Sequence, residues 1–289
     1  MDNDKDGRFL IIFALVFIIV AGLYSAGNFK LNEIIRLESL RQGELENNLA
    51  SLELEAKAVA IYNLMEDRKI FGRNDDLPLP IASLTKTMTI AVALSKLGTE
   101  ARIPISVRAL QQAGDYKLLL ADTWPTGELA KLTLVASAND GAYALAEAAG
   151  GDTLLRMNEK ARKIGMNKTV FLNVTGLDKL DNGMPVEASG FASAEDLNIL
   201  AYYALRLYPD IFQASTLPEV YGLKNTNPTV GSIPGLLFSK TGFTDLSGGN
   251  LTIIFRSRSG DLIAATILGS SYDGRFTDME KIVGILYNL

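Results

Sequence analysis

The sequence predicts a domain that contains both helix and strand and follows an apolar N-terminal segment. Two stretches of the 289 residues carry this prediction. Residues 81–96 are mostly apolar, follow Pro78 and Pro80 and end at Gly98, which is the pattern of a buried helix. Residues 236–244 form an apolar run that leads into Lys-Thr-Gly, which is typical of a strand. The roughly 240 residues after the N-terminal region can form one core with two lobes.

The first element is an apolar run that is unbroken from Phe9 to Tyr24. Its length is about what one helix needs to cross a bilayer. We expect residues 1–8 to be a cytoplasmic tail and residues 9–29 to be an uncleaved transmembrane signal-anchor helix. The alternative is a secretory signal cleaved near Ser25, which would release a secreted protein.

Residues 30–51 form the next segment and contain no proline. Leucine and isoleucine residues recur three or four positions apart among charged ones, which predicts a helical stalk interrupted near Gly43. We expect a short spacer here rather than a partner for another helix. The net charge of the chain is −5 and it has no basic run, which argues against a nucleic-acid partner.

The composition restricts the chemistry, since the chain contains no histidine and no cysteine. A Ser-His-Asp relay, a thiolate nucleophile, a disulfide and a metal held by His or Cys are therefore excluded. The sequence has no phosphate-binding glycine loop, and we expect neither a metal nor a cofactor. A hydrolase of this composition is expected to activate a serine with a lysine.

The first candidate site residues are Ser83 and Lys86, in Ser-Leu-Thr-Lys at the start of the predicted helix. Backbone N–H groups of a first turn lack helical partners, and the positive end of the helix dipole lies there. Residues three apart share a helix face, so the Lys86 amine can reach the Ser83 hydroxyl. Taken alone, the pattern is a serine cap followed by a solvated lysine. Two further motifs favour a site.

These motifs are Ser137-Ala-Asn139, between two apolar helices, and Lys240-Thr241-Gly242, in the predicted strand. A lysine is a base only when neutral, so burial or a nearby positive charge must lower its pKa. Lys240 is the candidate neighbour of the first lysine, and Gly242 allows another backbone to approach closely. Taken separately, Asn139 is a helix cap and Lys240 belongs to a surface strand that ends in a turn.

The three motifs, in this order, resemble those of the D-alanyl-D-alanine carboxypeptidases, which are low-molecular-mass serine penicillin-binding proteins. The resemblance covers residues 52–289, the expected D,D-peptidase catalytic domain, and extends to stretches without catalytic chemistry: Ala58–Leu64, Met157–Ala161, Ile164–Leu177, Ala192–Leu197 and Gly249–Leu251. It implies a penicillin-binding protein or serine β-lactamase-like mixed α/β fold, an antiparallel sheet sandwiched by helices plus a mainly helical lobe. The sheet is expected from a hairpin at 57–72 and strands near 235–243, 250–256 and 262–269, and the lobe from residues 100–215.

The resemblance also implies roles for the motif residues. Ser83 is expected to be the acylated nucleophile and Lys86 its base. Ser137, Asn139 and Lys240 are expected to surround the substrate: Ser137 relays a proton to the leaving amine, Asn139 holds the acyl-side amide, and Lys240 lowers the local proton affinity.

A second group of residues is expected to bind the substrate. Thr241, with Thr244 close by, is expected to meet the substrate carboxylate. Gly242 and Phe243 continue this strand, which is expected to bind the peptide as an added β-strand. The backbone N–H groups of Ser83 and Phe243 are expected to hold the oxyanion.

The activity implied is a D-Ala-D-Ala carboxypeptidase that acts on peptidoglycan stem peptides through an acyl-enzyme, with β-lactams as covalent inhibitors. The expected location is the cell membrane, with the catalytic domain on the extracytoplasmic side. A D,D-endopeptidase of cross-linked peptidoglycan and a penicillin sensor or scaffold without turnover stay open as alternatives. A class A β-lactamase is disfavoured, because Ala194 stands where its deacylating Glu would precede Leu197-Asn198.

Two departures from the family pattern are visible. Asp261 aligns with a position that is commonly basic in the family and helps to seat the terminal carboxylate, although Arg256 and Arg258 are close in sequence. Beyond Arg275 we expect only a closing helix through Leu289, without the additional C-terminal β-domain that many relatives carry.

Overall fold

The computed structural model describes residues 32–33, 36–37 and 39–287. The chain divides into two units, Met1–Ala50 and Ser51–Leu289. In the first unit residues 39–50 form a continuous helix, so the predicted interruption near Gly43 is wrong. One glycine costs only about 1 kcal/mol in a helix interior. The predicted transmembrane segment lies outside the described residues, and none of the helices that are described is long and apolar enough to cross a bilayer.

The second unit contains strands and helices in alternation. The strands are β1 (Ala58–Asn63), β2 (Arg68–Arg73), β3 (Leu79–Pro80), β4 (Arg102–Pro104), β5 (Thr123–Pro125), β6 (Val170–Phe171), β7 (Lys179–Asp181), β8 (Met184–Glu187), β9 (Gly190–Ala192), β10 (Glu219–Val220), β11 (Leu223–Lys224), β12 (Leu236–Thr244), β13 (Gly248–Arg256) and β14 (Leu262–Ser270). The α-helices are α1 (Thr85–Leu97), α2 (Val107–Leu110), α3 (Thr126–Val135), α4 (Asn139–Ala149), α5 (Thr153–Lys163), α6 (Ala194–Leu207), α7 (Pro209–Phe212) and α8 (Gly274–Leu286). The 3-10 turns are Ala82–Leu84 and Gln213–Thr216.

The main sheet has five antiparallel strands in the order β12-β13-β14-β1-β2. Its central strands are buried almost throughout, so both faces must be covered. One face packs against α1 and α6, while α8 packs on β13 and β14. The expected antiparallel sheet sandwiched by helices is confirmed.

A mainly helical lobe lies between α1 and β12 along the chain, also as expected. Its core joins α1, α3, α4 and α7 through the buried apolar residues Leu94, Leu129, Leu145 and Phe212. Phe238 of β12 belongs to the same core, with its ring centroid 6.2 Å from that of Phe212. The lobe is therefore packed directly against the β12 edge of the sheet.

The predicted helix at 81–96 begins differently from the expectation. The chain forms a 3-10 turn at Ala82–Leu84 before α1 starts at Thr85, and Ala82 has a φ of +48°. Gly98 caps the far end with a φ of +74°. Ser83 consequently lies in a tight turn directly before the N-terminus of α1, where the lobe and β12 meet.

Candidate active site

Lys86 lies at the bottom of the site, in the first turn of α1, and is fully buried. Its Nζ is 2.7 Å from Ser83 Oγ, 2.7 Å from Asn139 Oδ1 and 2.5 Å from the Thr175 carbonyl oxygen. The predicted Ser83–Lys86 contact is thus present in the structure. Ser83 itself is partly exposed, so the hydroxyl is accessible from outside while the amine is not.

These three partners fix what the Lys86 amine can do. The oxygens of Asn139 and Thr175 can only accept hydrogen bonds, whereas Ser83 Oγ can accept or donate. A neutral amine therefore donates to the first two and turns its lone pair toward the serine hydroxyl. Burial lowers the pKa of Lys86 to about 7, against an opposing influence of the Asp140 carboxylate. Both protonation states are accessible near neutral pH.

Lys240 is a second fully buried lysine, on β12. Its Nζ donates to Ser137 Oγ and to the Thr241 carbonyl oxygen, each at 2.9 Å. Burial lowers the pKa of Lys240 well below its usual value, and the positive charges of Lys86 and Arg275 lower it further. The sequence had suggested that Lys240 depresses the first lysine, but burial is the main cause at both.

Ser137 and Asn139 lie where α3 ends and α4 begins. Ser137 has a φ of +57°, a conformation that is rare for a side chain of this type. Asn139 Nδ2 donates to the Ala113 carbonyl oxygen at 2.7 Å and to Tyr116 Oη at 3.3 Å. Because a carbonyl can only accept, this contact orients the amide so that its oxygen faces Lys86.

The turn that carries Ser83 is held between two glycines. A Cβ on Gly242 of β12 would fall 2.8 Å from the Ile81 carbonyl oxygen and 3.3 Å from Ser83 N. A Cβ on Gly176, which has a φ of +83°, would fall 2.4 Å from the Ala82 carbonyl oxygen. The close backbone approach predicted for Gly242 is therefore seen, and Gly176 repeats it on the other side.

The substrate-binding residues expected on β12 are only partly brought together. Thr241 Oγ1 shares a hydrogen bond of 2.6 Å with Thr226 Oγ1. Phe243 lies on the same face of the strand as Thr241, by the two-residue alternation, and is 41% exposed. Thr244 falls on the opposite face, and its Oγ1 lies 3.1 Å from Ser247 Oγ in the turn to β13. This is the face of Lys240, and a role for Thr244 in binding the substrate carboxylate stays a prediction.

A second basic side chain beside this strand, in addition to Lys240, is that of Arg275 at the start of α8. Its Nη1 donates to the Gly242 carbonyl oxygen at 2.8 Å, and its side chain is buried against the rings of Tyr272 and Phe276. Arg275 Nε is buried without a hydrogen-bond partner among the described residues. A buried guanidinium beside Gly242 supplies positive charge at the end of the site.

The interpretation of Asp261 is corrected by this geometry. Lys240 on β12 pairs with Thr252 on β13, which in turn pairs with Thr266 on β14. Asp261 lies five residues before Thr266, so it is about 17 Å along the strand from the level of Lys240. The Asp261 carboxylate instead accepts from Asn63 Nδ2 at the far end of the sheet. The sequence alignment placed the substituted position at the wrong end of β14.

Sequence reasoning missed several residues of the site. Thr175 and Ala113 take part through backbone carbonyls, which no side-chain type reveals. Asp140 follows Asn139 directly, and burial raises its pKa to about 6. The signal that could have revealed Arg275 is an arginine between aromatic residues at a helix start, in Tyr272-Asp-Gly-Arg-Phe276.

No group of His, Cys, Asp or Glu side chains in the described part of the chain is arranged to hold a metal ion. The site therefore consists of two accessible serine hydroxyls above two buried lysines, with an amide and an arginine beside them. Together with an antiparallel sheet under a helical lobe, this arrangement defines a serine hydrolase of the Ser-Lys class.

The chain belongs to the D-alanyl-D-alanine carboxypeptidase family, which it matches over residues 45–271. A D-alanyl-D-alanine endopeptidase of Pseudomonas aeruginosa is 30% identical over 68% of this chain and 66% of the relative. A D-alanyl-D-alanine carboxypeptidase of Bacillus subtilis is 27% identical over 83% of this chain and 64% of the relative. The chain thus spans slightly less than two thirds of the length of these two relatives.

Solved structures show the same fold. Penicillin-binding protein D2 from Listeria monocytogenes, in its cefotaxime-bound form, superimposes with a TM-score of 0.68 and 29% sequence identity. The match covers 82% of this chain and 99% of that chain. The fold expected from the resemblance is therefore confirmed.

Proposed function

We propose that this chain is a serine-type D-Ala-D-Ala carboxypeptidase that acts on peptidoglycan stem peptides through an acyl-enzyme on Ser83. The observation that supports this proposal best is the environment of the Lys86 amine. It is buried, its pKa is about 7, and its two acceptor-only partners turn the lone pair toward Ser83 Oγ. This is the environment that a lysine needs to act as a general base.

The proposed reaction has two steps. Ser83 Oγ attacks the carbonyl carbon of the penultimate D-alanine, Lys86 takes the hydroxyl proton, and the backbone N–H groups of Ser83 and Phe243 hold the oxyanion. The C–N bond then breaks, and the terminal D-alanine leaves after its nitrogen receives a proton through Ser137, the hydrogen-bond partner of Lys240. Water hydrolyses the ester, which restores the serine and releases the shortened peptide.

Recognition of the terminal carboxylate is assigned to Thr241, with positive charge supplied by Lys240 and Arg275. The Thr241 hydroxyl lies on the same strand as Lys240, and Arg275 contacts the next residue, Gly242. A carboxylate without a cationic or hydroxyl partner is costly to bury. Arg275 thus supplies the positive charge that the sequence did not show at Asp261.

The nucleophile and the turnover are tested together. Intact-mass analysis after incubation with benzylpenicillin should show one adduct on the wild type and none on Ser83→Ala. Release of D-alanine from a pentapeptide should be seen with the wild type only. An equal yield of adduct on Ser83→Ala would overturn the assignment of Ser83. An adduct without D-alanine release would identify the sensor or scaffold alternative.

An endopeptidase is the second candidate, because the relative from Pseudomonas aeruginosa is one by name. A carboxypeptidase needs a free terminal carboxylate, so a pentapeptide amide should be cleaved far more slowly than the acid. Equal kcat/KM for acid and amide would show that the carboxylate is not recognised. We would then assign the chain to cleavage of cross-linked peptides.

We propose that residues 9–29 anchor the chain in the cell membrane, with the catalytic domain outside. The apolar run and the location of peptidoglycan support this proposal. The full chain should stay with membranes after a carbonate wash, whereas a variant that starts at residue 30 should not. A full chain that is released by the wash would contradict it.

A further inference from the structure

A cavity of about 630 Å³ opens near the β1–β2 edge of the sheet, away from Ser83. It lies between β1, α6 and the end of α5, and its walls include three tyrosines together with isoleucine and leucine side chains. The tyrosines are Tyr62, Tyr202 and Tyr203. The size is that of a small-molecule site.

The tyrosines combine apolar faces with unused polar groups. Tyr202 and Tyr203 are half-buried, and in the described part of the chain neither hydroxyl has a hydrogen-bond partner. The Arg206 guanidinium lies 5.5 Å from the centre of the Tyr202 ring, and Lys160 Nζ lies 5.5 Å from that of Tyr203. Each ring therefore has a cation near one of its faces, and both hydroxyls remain available to a ligand.

The polar lining is mixed in charge. Asp67, Glu195 and Arg206 all contribute to the walls, and Glu195 accepts a hydrogen bond from Tyr62 Oη. The carboxylates disfavour a polyanion such as a nucleic acid, and the number of charged groups disfavours an apolar helix. A pyranose ring fits better, because it has an apolar C–H face and a rim of hydroxyl groups.

We propose that this tyrosine groove binds N-acetylated amino sugars of a peptidoglycan glycan strand. The inference rests on the proposed function, since a peptidase of stem peptides meets its substrate attached to such strands. The sugar ring would lie on the faces of Tyr202 and Tyr203, and its hydroxyl and acetamido groups would bond to the tyrosine hydroxyls and to Arg206.

The distance between the groove and the active site is consistent with one substrate. Three strand spacings, about 14 Å, separate β12 from β1 across the sheet, and Tyr62 is in register with Phe238, two residues or about 7 Å along the strand from Lys240. An extended peptide of five residues spans at most about 17 Å. The separation of about 16 Å between the Tyr62 and Lys240 positions in the plane of the sheet is therefore comparable to the length of one extended stem peptide.

The binding test uses chitotetraose, a peptide-free chain of N-acetylglucosamine, titrated calorimetrically into the full chain in a detergent without a sugar headgroup. Tyr202→Ser and Tyr203→Ser should each weaken binding by about tenfold. Tyr221→Ser is the matched control, because Tyr221 is an exposed tyrosine that contacts Trp124 and Glu128 instead. It should bind as the wild type does.

Thermal unfolding and penicillin labelling verify that the variants are folded. Because this titration needs no turnover, it can succeed even where the proposed carboxypeptidase activity fails. No binding of chitotetraose to the wild type, or equal binding by all four proteins, would overturn the groove assignment. Self-association that the Tyr202→Ser variant loses, without sugar binding, would overturn it in favour of contact between two copies.

A kinetic arm connects the groove to catalysis. With a free pentapeptide, the kcat/KM of Tyr202→Ser should equal that of the wild type. With pentapeptide still attached to soluble glycan strands, kcat/KM should fall about fivefold, mainly through KM. An unchanged ratio between the two substrates would contradict the proposal.

Discussion

The two edges of the main sheet shift the pKa of lysine in opposite directions. At the β12 edge Lys240, with Lys86 beside it, is fully buried and has no carboxylate within salt-bridge distance among the described residues. Burial lowers the pKa of both. At the β2 edge Lys69 is 44% exposed and forms an ion pair with Asp75, whose hydrogen bond raises the pKa of the lysine.

The difference shows that the sequence pattern does not define a catalytic lysine. An ammonium in water with a carboxylate partner keeps its proton, whereas one that is desolvated among neutral acceptors gives it up. The same residue type thus holds its proton more tightly at one edge and releases it more readily at the other. Substitutions at the two edges test this difference between the lysines.

Replacement of the base should have the largest effect. Lys86→Arg keeps a positive charge but cannot supply a neutral base, because guanidinium stays protonated. We expect acylation by benzylpenicillin to fall by about 10²- to 10⁴-fold. Lys69→Arg should change the rate by less than about twofold, since exposed ion pairs contribute little. Stopped-flow or mass-spectrometric acylation rates measure both, and a Lys86→Arg variant that keeps more than a tenth of the wild-type rate would require another base.

Loss of the Thr241 hydroxyl, next to Lys240 in the sequence, should have the next largest effect. Thr241→Val removes the hydroxyl that we propose as a partner of the substrate carboxylate, and an unsatisfied buried group costs about 1–3 kcal/mol. The kcat/KM for the free-acid pentapeptide should fall by about 10- to 100-fold, and that for the amide by less than about threefold. Equal losses on both substrates would show that Thr241 does not contact the carboxylate.

The pH dependence tests the burial of Lys86 directly. The protonated amine is inactive as a base, so the acylation rate should rise about tenfold per pH unit below pH 7 and level off above it. Asp140→Asn removes the charge that favours the ammonium, so the rising limb should move to lower pH.

At pH 6 the Asp140→Asn rate should exceed the wild-type rate by only about twofold, because Asp140 with a pKa of about 6 is already half neutral there. The asparagine oxygen can still accept from Gly141 N, as Asp140 does. Asp75→Asn, at the other edge, should leave the profile unchanged. A limb that moves to higher pH would contradict the assigned role of Asp140.

The smallest effect on the acylation rate is expected from removal of the Tyr116 hydroxyl that holds Asn139. Tyr116→Phe keeps the ring but removes the hydroxyl that accepts from Asn139 Nδ2 at 3.3 Å. The Ala113 carbonyl still orients the amide, so acylation should slow by only about threefold. Tyr221→Phe is the control and should be neutral. A loss above about a hundredfold would show that Tyr116 contacts the substrate itself.

Local patterns made part of this molecule predictable from its sequence. The Ser83–Lys86 contact depends on a spacing of three residues, and the strand before Lys240 on a continuous apolar run. The pairing of Lys240 with Ser137 depends on contacts over 103 residues, and only the known order of the motifs indicated it. The irregular turn at Ser83 was not predicted, because a positive φ at an alanine leaves no trace in sequence.

Long-range placement was the part that failed. Arg275 reaches Gly242 across 33 residues and two intervening strands, and no local pattern in the sequence indicated this contact. Strand alternation places Thr244 on the face of Lys240 and Thr241 on the other face, which a list of neighbouring threonines does not reveal. Carbonyl groups such as that of Thr175 carry no side-chain signal at all.

The two glycines that enclose the Ser83 turn bear on how this enzyme can diversify. The turn that carries Ser83, the proposed nucleophile, approaches both glycines so closely that neither position has room for a Cβ. Mutagenesis of the surrounding cleft can therefore alter which peptides are accepted while the attacking oxygen stays in place. A saturation library should tolerate changes at Phe243, which is exposed, and reject almost every replacement at either glycine.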